Sequence, residues 1–388
     1  MFDFLHSTKN GKEETALVFA LESGKAITGI VRLKPNKKPE IVYAHQSAVL
    51  SEAKTEGSVL SFSLASLKRE NEKLQKEGIE EVKAKGVKFG DIKTAYVFLG
   101  SPWNISKIVT STKTEDKPFI ITNELIRETA SEHLKEKEPN LLHIEEAIVS
   151  VKANGYEIEN SIGKKTSSIT VTSFISTMNE DVAVKIKEVI NLAFPNLLVN
   201  FHTIPMAFFP IVVNLLHKKD FVLCMPEHEV SEFLLVRGGV PKGSVSIPFG
   251  KHFPVRVIAS ALQKEKETVL SLLSLHEEGT LEASAETELT QILSQAESEW
   301  DVALTDAFWR LGETFLLPKE VIIAGKDAES KILETWISKK TFANKSFSSD
   351  TFSVSYFTTE DVKNYIVVSS SKEPHPILGA ISLFLKTL

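Results

Sequence analysis

Three short apolar runs separated by turns place the strongest constraint on how this chain can fold. They lie at residues 221–224, 233–236 and 245–247, within residues 220–253. Short apolar runs bounded by turn residues are typical of strands joined by hairpins. This segment therefore predicts a three-stranded β-meander inside a larger sheet.

The turn between the first two runs consists of Pro226, Glu227, His228 and Glu229. A loop that binds phosphate presents several backbone N–H groups at close range, which is why such loops are rich in glycine. Proline has no N–H, and two like charges about 4 Å apart repel by about 1 kcal/mol in water and by more near a protein surface. The turn is therefore poorly suited to bind an anion.

The same turn carries residue types that bind metal ions. Side chains at alternating positions of a turn point apart, and the neighbouring sequence offers no second cluster of ligands. The sequence therefore favours a turn whose charges are solvated, and it predicts no metal site.

Composition excludes several classes of protein. A chain of 388 residues exceeds one ordinary core, so two or more domains are expected. The 42% hydrophobic and 25% charged content is that of a globular protein, and the net charge of −6 argues against nucleic-acid binding. The single cysteine, Cys224, excludes an intrachain disulfide and a cysteine-based metal site, and its place in an apolar run predicts an inert, buried residue.

The sequence gives no sign of a targeting or membrane-spanning segment. The first six residues include Asp3 and precede no long apolar region, unlike a secretory signal. The longest apolar stretch, residues 204–216, is interrupted by Pro205 and Pro210 and is too short to cross a bilayer. A cytoplasmic location is expected.

Strands and helices alternate along the chain, which predicts an α/β protein. Residues 94–176 are expected to form a separate α+β unit, with Thr122 as the N-cap of a helix over about 123–137 and Asn154-Gly155 as a hairpin turn. The other expected elements are strands at 16–20, 27–33, 41–44, 197–201 and 320–323, and helices at about 64–84, 179–192, 205–216, 329–339 and 376–388, with a mainly helical region at 255–316.

This order of elements, together with three motifs, resembles the FtsA/PilM type of actin-like ATPases over nearly the whole chain. The first motif runs from Leu142-His143 through the Asn154-Gly155 hairpin to residues 160–163. The second is residues 246–252, which are similar to an Ile-Pro-(apolar)-Gly-Gly segment of that family, and the third is the final helix with Gly379 and Ala380.

The resemblance implies an actin-like (ribonuclease H-like) duplicated fold with a small inserted domain of the SHS2 type. The first actin-like subdomain would span residues 1–93 and be completed by 177–218 and the helix at 376–388, and the insertion would span 94–176. The second actin-like subdomain would span 219–257 and 318–375, and a helical subdomain would span 258–317.

The same resemblance implies a vestigial nucleotide site, which we call the cleft. The first phosphate loop of the family aligns with residues 22–25, and the glycine-rich second loop aligns with residues 225–232, which contain no glycine and have Met225 at the position of the metal-orienting aspartate. The cleft residues implied by the resemblance are Glu22, Gly24, Lys25, Glu227, Glu229, Ser231, Gly250 and Gly325.

No catalytic residue is expected in that cleft, and no cofactor, with ATP-Mg only if the site is still active. The pair Gly24-Lys25 lacks the upstream glycine and following hydroxyl of a P-loop. The sequence also contains no Gly-x-Ser-x-Gly nucleophile elbow, so a serine hydrolase has little support.

The resemblance implies a cytoplasmic scaffold or adaptor, peripheral at the inner membrane, without ATPase activity. Its partner would be a short peptide: the tail of the division tubulin or the cytoplasmic tail of a pilus-assembly membrane protein. Membrane contact would be indirect, and homo-oligomers would form through the inserted domain. The Phe-rich start (Phe2, Phe4) and the end at Leu388, without an amphipathic anchor, favour the PilM-like role. The alternatives are an active actin-like ATPase that polymerises with ATP-Mg, with Glu22 orienting water or magnesium, and a structural protein with no membrane role.

Overall fold

The computed structural model describes residues 13–47, 56–131, 139–158, 160–342, 345–346 and 350–388. These residues form two mixed sheets of six and five strands and a four-stranded antiparallel sheet. The Phe-rich start and the end of the helix expected to reach residue 137 lie outside the described residues. Among the described helices, none combines the length and apolar character needed to cross a bilayer.

The six-stranded sheet has the order β15-β3-β2-β1-β4-β9. Strands β1 to β3 are antiparallel, whereas β4 and β9 run parallel to β1. The central strands are buried along most of their length because helices cover both faces of the sheet. The strands are β1 (Glu14–Glu22), β2 (Lys25–Leu33), β3 (Glu40–Gln46), β4 (Thr94–Leu99), β9 (Leu198–Thr203) and β15 (Val367–Val368).

The five-stranded sheet has the order β12-β11-β10-β13-β14. Its first three strands are the β-meander predicted from the apolar runs, and that prediction is confirmed. Strands β13 and β14 continue the sheet in parallel with β10. The strands are β10 (Phe221–Pro226), β11 (Ser231–Arg237), β12 (Val240–Ile247), β13 (Glu320–Ala324) and β14 (Ser353–Phe357).

The two large sheets repeat one topology. The order β3-β2-β1-β4-β9 in the first corresponds strand for strand to β12-β11-β10-β13-β14 in the second. In both sheets, the first strand of an antiparallel meander lies between the second strand of the meander and two further strands that run parallel to the first. The turns β1–β2 and β10–β11 are therefore equivalent positions in a duplicated structure.

The antiparallel sheet is inserted into the first half of the chain and has the order β5-β8-β6-β7. The Asn154-Gly155 turn joins β6 to β7, and both residues have positive φ, at 50° and 85°, as a tight hairpin requires. Thr122 caps the helix of this unit by accepting the Leu125 N–H at 3.1 Å. The elements are β5 (Ile105–Ile120), α3 (Asn123–Ser131), β6 (Leu141–Ala153), β7 (Tyr156–Glu157) and β8 (Lys165–Asn179).

The expectation that the inserted unit begins at residue 94 is wrong for its first strand. Thr94–Leu99 pairs along its length with β1 and with β9, so it belongs to the six-stranded sheet. Pairing between distant strands depends on contacts that local apolar patterns do not encode. The inserted sheet accordingly starts at β5.

One apolar core joins the two large sheets. It contains residues of β1, β2 and β10, and its centre is formed by α5 (Ile204–Leu215) and α11 (Pro376–Leu385), which pack against each other. A Cβ atom on Gly29 would lie 2.7 Å from the Leu378 side chain, so β2 and α11 approach closely.

The helices cover the sheets or form the layer between them. They are α1 (Glu56–Lys73), continued through a π-helical turn (Leu74–Gly78) into α2 (Ile79–Ala84), then α4 (Glu180–Ala193), α5 (Ile204–Leu215), α6 (Phe253–Leu262), α7 (Lys266–Glu277), α8 (Ala283–Leu311), α9 (Ala328–Ser338), α10 (Thr359–Val362) and α11 (Pro376–Leu385).

Candidate functional site

The two equivalent turns of the duplicated structure meet and are joined by hydrogen bonds. The backbone N–H of Ser23, in the β1–β2 turn, donates to Oε2 of Glu227 at 2.8 Å. In return, the N–H of Glu229, in the β10–β11 turn, donates to Oγ of Ser23 at 2.9 Å. Ser23 is fully buried, so these bonds lie in the interior, between the two halves of the molecule.

The first turn is held in place by side chains from elsewhere in its own half. The hydroxyl of Ser63, on α1, accepts the Gly24 N–H at 2.8 Å and donates to the Glu22 carbonyl at 3.1 Å. The indole of Trp103 donates to the same carbonyl at 3.1 Å. These bonds fix the direction in which the Ser23 N–H points.

The carboxyl group of Glu227 lies at the centre of the contact between the turns. The backbone of Ser101 is a second hydrogen-bond partner besides Ser23, and a Cβ atom on Gly100 would overlap the carboxyl group. Burial, with a smaller contribution from the nearby Glu22, raises the pKa of Glu227 well above its usual range. Burial thus favours the neutral acid over the carboxylate at this position, because a buried charge without a counter-ion is costly.

A loop from the second half closes over the same turn. The Lys251 N–H donates to the Glu227 carbonyl at 2.9 Å, and the His252 N–H donates to the His228 carbonyl at 3.1 Å. A Cβ atom on Gly250 would overlap the His228 backbone, so this glycine permits the close approach of the two segments. Its position is explained by packing within the protein, with no ligand required.

Two histidines and a glutamate form a buried cluster behind this loop. The rings of His228 and His252 stack with centroids 4.1 Å apart, and Glu229 forms an ion pair with Arg256. Oε1 of Glu229 lies 3.7 Å from Nδ1 of His252 and 3.9 Å from Nε2 of His228. Burial, followed by the neighbouring His252 and lysines, lowers the pKa of His228, so its ring stays neutral.

Charged side chains surround the outer part of the cleft. Although burial opposes ionisation, Lys251, whose Nζ is 2.6 Å from the carboxylate, lowers the pKa of Asp327 to about 2. Asp327 also caps α9 by accepting the Ser330 N–H at 2.7 Å. Burial lowers the pKa of both Lys25 and His375.

Six of the eight cleft residues predicted from the sequence lie in or against these turns, and Ser231 does not take part in the contact. Its hydroxyl donates to the Phe249 carbonyl at 2.8 Å and so joins β11 to the loop after β12. The six are Glu22, Gly24, Lys25, Glu227, Glu229 and Gly250. The N–H of Gly325 donates to the Phe357 carbonyl at 2.9 Å, and a Cβ atom on this glycine would lie 4.0 Å from His375.

The prediction of a solvated turn is wrong. Glu227, His228 and Glu229 are only 4%, 2% and 8% exposed, because the turn faces the other half of the molecule. Sequence reasoning also missed His252 and Arg256 as neighbours of the turn. His252 is the last residue of the Ile-Pro motif at residues 246–252, and this motif was the sequence feature that could have indicated its place beside the turn.

In this arrangement the residues do not fit a nucleoside triphosphate with Mg²⁺. The N–H group that the first turn offers is bound to Glu227, and the second turn supplies a proline and two glutamates where a phosphate would need N–H donors. The side chains of the cleft therefore join the two halves of the molecule.

Comparison with solved structures supports the fold. No protein-family model and no curated protein matches this sequence. A PilM-PilN type IV pilus biogenesis complex is similar, with a TM-score of 0.58 and 13% identity over 96% of this chain and 98% of that chain.

Two further similar structures are more distant. The ethanolamine utilization protein EutJ from Carboxydothermus hydrogenoformans has a TM-score of 0.42 and 11% identity over 98% and 92% of the two chains. A Bacteroides thetaiotaomicron protein described as having an actin-like ATPase fold and unknown function has a TM-score of 0.36 and 10% identity over 92% and 93%. The duplicated sheets and the likeness to the PilM-PilN structure confirm the fold predicted from the sequence: this protein has the actin-like ATPase fold.

Proposed function

We propose that this protein is a PilM-like scaffold that binds a segment of a protein partner and does not hydrolyse ATP. The observation that carries the proposal is the position of the Glu227 carboxyl group, which accepts the N–H of the first turn at 2.8 Å. A phosphate group would use that same donor in a functional loop. In this protein the carboxyl group of Glu227 occupies the position of that phosphate.

Entry of a nucleotide would require the two turns to separate. That movement breaks the Ser23–Glu227 and Glu229–Ser23 hydrogen bonds, each of which contributes about 0.5–1.5 kcal/mol. Glu227 would then ionise in contact with water and repel the incoming phosphates. Pro226 offers no N–H to compensate.

The likeness to a PilM-PilN complex supports a protein partner. On that basis we assign the partner segment to the cytoplasmic tail of a pilus-assembly membrane protein, which would hold the scaffold at the inner membrane. The division-tubulin tail is the competing partner. Self-association through the inserted sheet is part of the same proposal.

Calorimetric titration with ATP-Mg tests the absence of nucleotide binding. We expect no saturable heat with the wild-type protein. Lys25→Ala is the matched control, because Lys25 lies beside the first turn and its removal would abolish binding at this cleft. A micromolar Kd that disappears in Lys25→Ala would refute the proposal for the cleft.

The partner assignment has its own experiment. Fluorescence anisotropy with synthetic peptides from the pilus-assembly tail and the division-tubulin tail of the same genome, each beside a scrambled version, compares the two partners directly. We expect saturable binding of the pilus-assembly peptide. Exclusive binding of the tubulin peptide, or binding of neither, would overturn the assignment while leaving the ATP result unaffected.

A further inference from the structure

We propose that His228, Glu229 and His252 bind a divalent transition-metal ion in the closed cleft, with Zn²⁺ as the ion that this set of ligands fits best. Two imidazoles and one carboxylate are a common zinc ligand set. The proposal does not depend on the proposed scaffold function.

The three side chains are already close enough for a metal site. One ligand atom from each lies within 4.8 Å of the other two. Bonds of about 2.0–2.2 Å to a tetrahedral zinc ion place ligand atoms about 3.4 Å apart. The observed 3.7 Å from Glu229 Oε1 to His252 Nδ1 and 3.9 Å to His228 Nε2 exceed that spacing by only about 0.3–0.5 Å.

Four buried polar atoms of this cluster have no hydrogen-bond partner among the described residues. Among the described residues, nothing forms a hydrogen bond with Nε2 of His228, Oε1 of Glu229 or either ring nitrogen of His252. An unsatisfied buried polar group costs about 1–3 kcal/mol, and folded proteins tolerate few of them. One metal ion would satisfy three of these four atoms at once.

The surroundings orient the carboxylate for binding. Arg256 pairs with Oε2 of Glu229 and so leaves Oε1 directed toward the two rings. Partners of this kind fix the orientation of metal ligands and tune their affinity. The rings now stack with 19° between their planes, so metal binding requires at least one ring to turn toward Oε1.

The burial of the cluster determines how the experiment must be done. His228 and His252 are 2% and 1% exposed, so an ion enters most readily while the chain folds. The full chain is therefore unfolded in guanidinium with EDTA, desalted, and refolded with or without ZnCl₂. Metal content is measured by mass spectrometry after gel filtration, and Co²⁺ in place of Zn²⁺ reports tetrahedral coordination through its visible absorption. We expect one equivalent of metal and a higher Tm in its presence.

Two variants and one control connect the bound metal to these residues. His252→Asn and Glu229→Gln each remove one ligand, and each should weaken Zn²⁺ binding at least about tenfold. His276→Asn is the matched control, because His276 forms a His–Glu pair with Glu286 at 2.8 Å that has no third ligand among the residues that the structure describes. This control should bind metal as the wild-type protein does.

Three outcomes would overturn the proposal. They are a refolded wild-type protein with far less than one equivalent of metal, a bound ion that His252→Asn and Glu229→Gln retain at unchanged affinity, and metal lost equally in His276→Asn. Circular dichroism of each variant confirms that it folds. The wild-type stoichiometry decides the question even if both ligand variants fail to fold.

Discussion

At the scale of single residues, Glu227 connects the two equivalent turns. Its carboxyl group accepts the Ser23 N–H, and a glycine at position 100 leaves room for it. Because burial raises the pKa of this acid, folding favours its neutral form over the carboxylate. A neutral amide of the same shape should therefore replace it with little loss.

The comparison of Glu227→Gln with Glu227→Ala tests this account. The glutamine carbonyl can still accept the Ser23 N–H, so we expect a change of under about 1 kcal/mol in the free energy of unfolding. Alanine leaves that buried N–H unpaired and should cost about 1–3 kcal/mol. Guanidinium unfolding measures both. Equal destabilisation by the two substitutions would contradict a neutral acid at this position.

Glu232 is a second buried acid, and it predicts a pH dependence of stability. Burial raises the pKa of Glu232 from 4.5 to about 8. Below the lower value the residue is protonated in both the folded and the unfolded chain. Between the two values the unfolded chain releases the proton and the folded chain keeps it, so the contribution of Glu232 to stability falls as pH rises and is constant above about 8.

Unfolding of Glu232→Gln and of the wild type between pH 5 and pH 8 checks this sign. The variant does not ionise, so its stability relative to the wild type should rise steadily with pH. Glu299→Gln, on an exposed face of α8, serves as the control and should show no such trend. A difference between Glu232→Gln and wild type that stays constant with pH would refute the prediction.

The sequence did not predict that the residues of the second turn are buried. The position of Gly250 came from a motif, and this glycine packs against the His228 backbone. The burial of His228 and Glu229 could not be predicted, because it depends on a contact with a turn about 200 residues away. Polar character along a short segment indicates solvation only when nothing distant covers it.

At the scale of elements, the strands that were predicted correctly are those with continuous apolar runs between turn residues. The meander of β10, β11 and β12 is such a case. Strand β15 was missed because it has two exposed residues and depends on pairing with β3. The pairing of β4 with β1 likewise depends on the arrangement of the whole sheet and could not be predicted from the residues of β4 alone.

The contact between β2 and α11 allows a test of packing at this scale. In Gly29→Ala the new methyl group would lie 2.7 Å from both terminal carbons of the buried Leu378, and such overpacking costs about 1–3 kcal/mol. Gly90→Ala, where no atom lies within 4 Å of the added carbon, is the matched control and should be nearly neutral.

A double-mutant cycle separates this contact from backbone effects. Leu378→Ala removes the side chain that the new methyl group would meet, so the cost of Gly29→Ala should shrink in that background. Chemical unfolding of the two single variants and the double variant gives the coupling energy. Additive costs would show that Leu378 does not cause the destabilisation.

At the scale of the whole molecule, the two halves are joined in two ways. The apolar core around α5 and α11 connects the sheets, and polar contacts join the turns above it. A further contact links the hydroxyl groups of Ser101, after β4, and Ser246, in β12, at 2.8 Å. Together these contacts predict that the cleft is closed in solution without any ligand.

A disulfide between Ser101→Cys and Ser246→Cys tests that closure. Ser246 is exposed to an oxidant, and the native thiol of Cys224 is fully buried and so does not interfere. We expect rapid formation of the bond in the folded protein, detected by loss of titratable thiols, and stabilisation by about 2–5 kcal/mol relative to the reduced form. The two single-cysteine variants should keep their thiols under the same conditions. If the double variant also keeps both thiols while folded, the halves are apart in solution, and side chains from the two turns do not close the cleft.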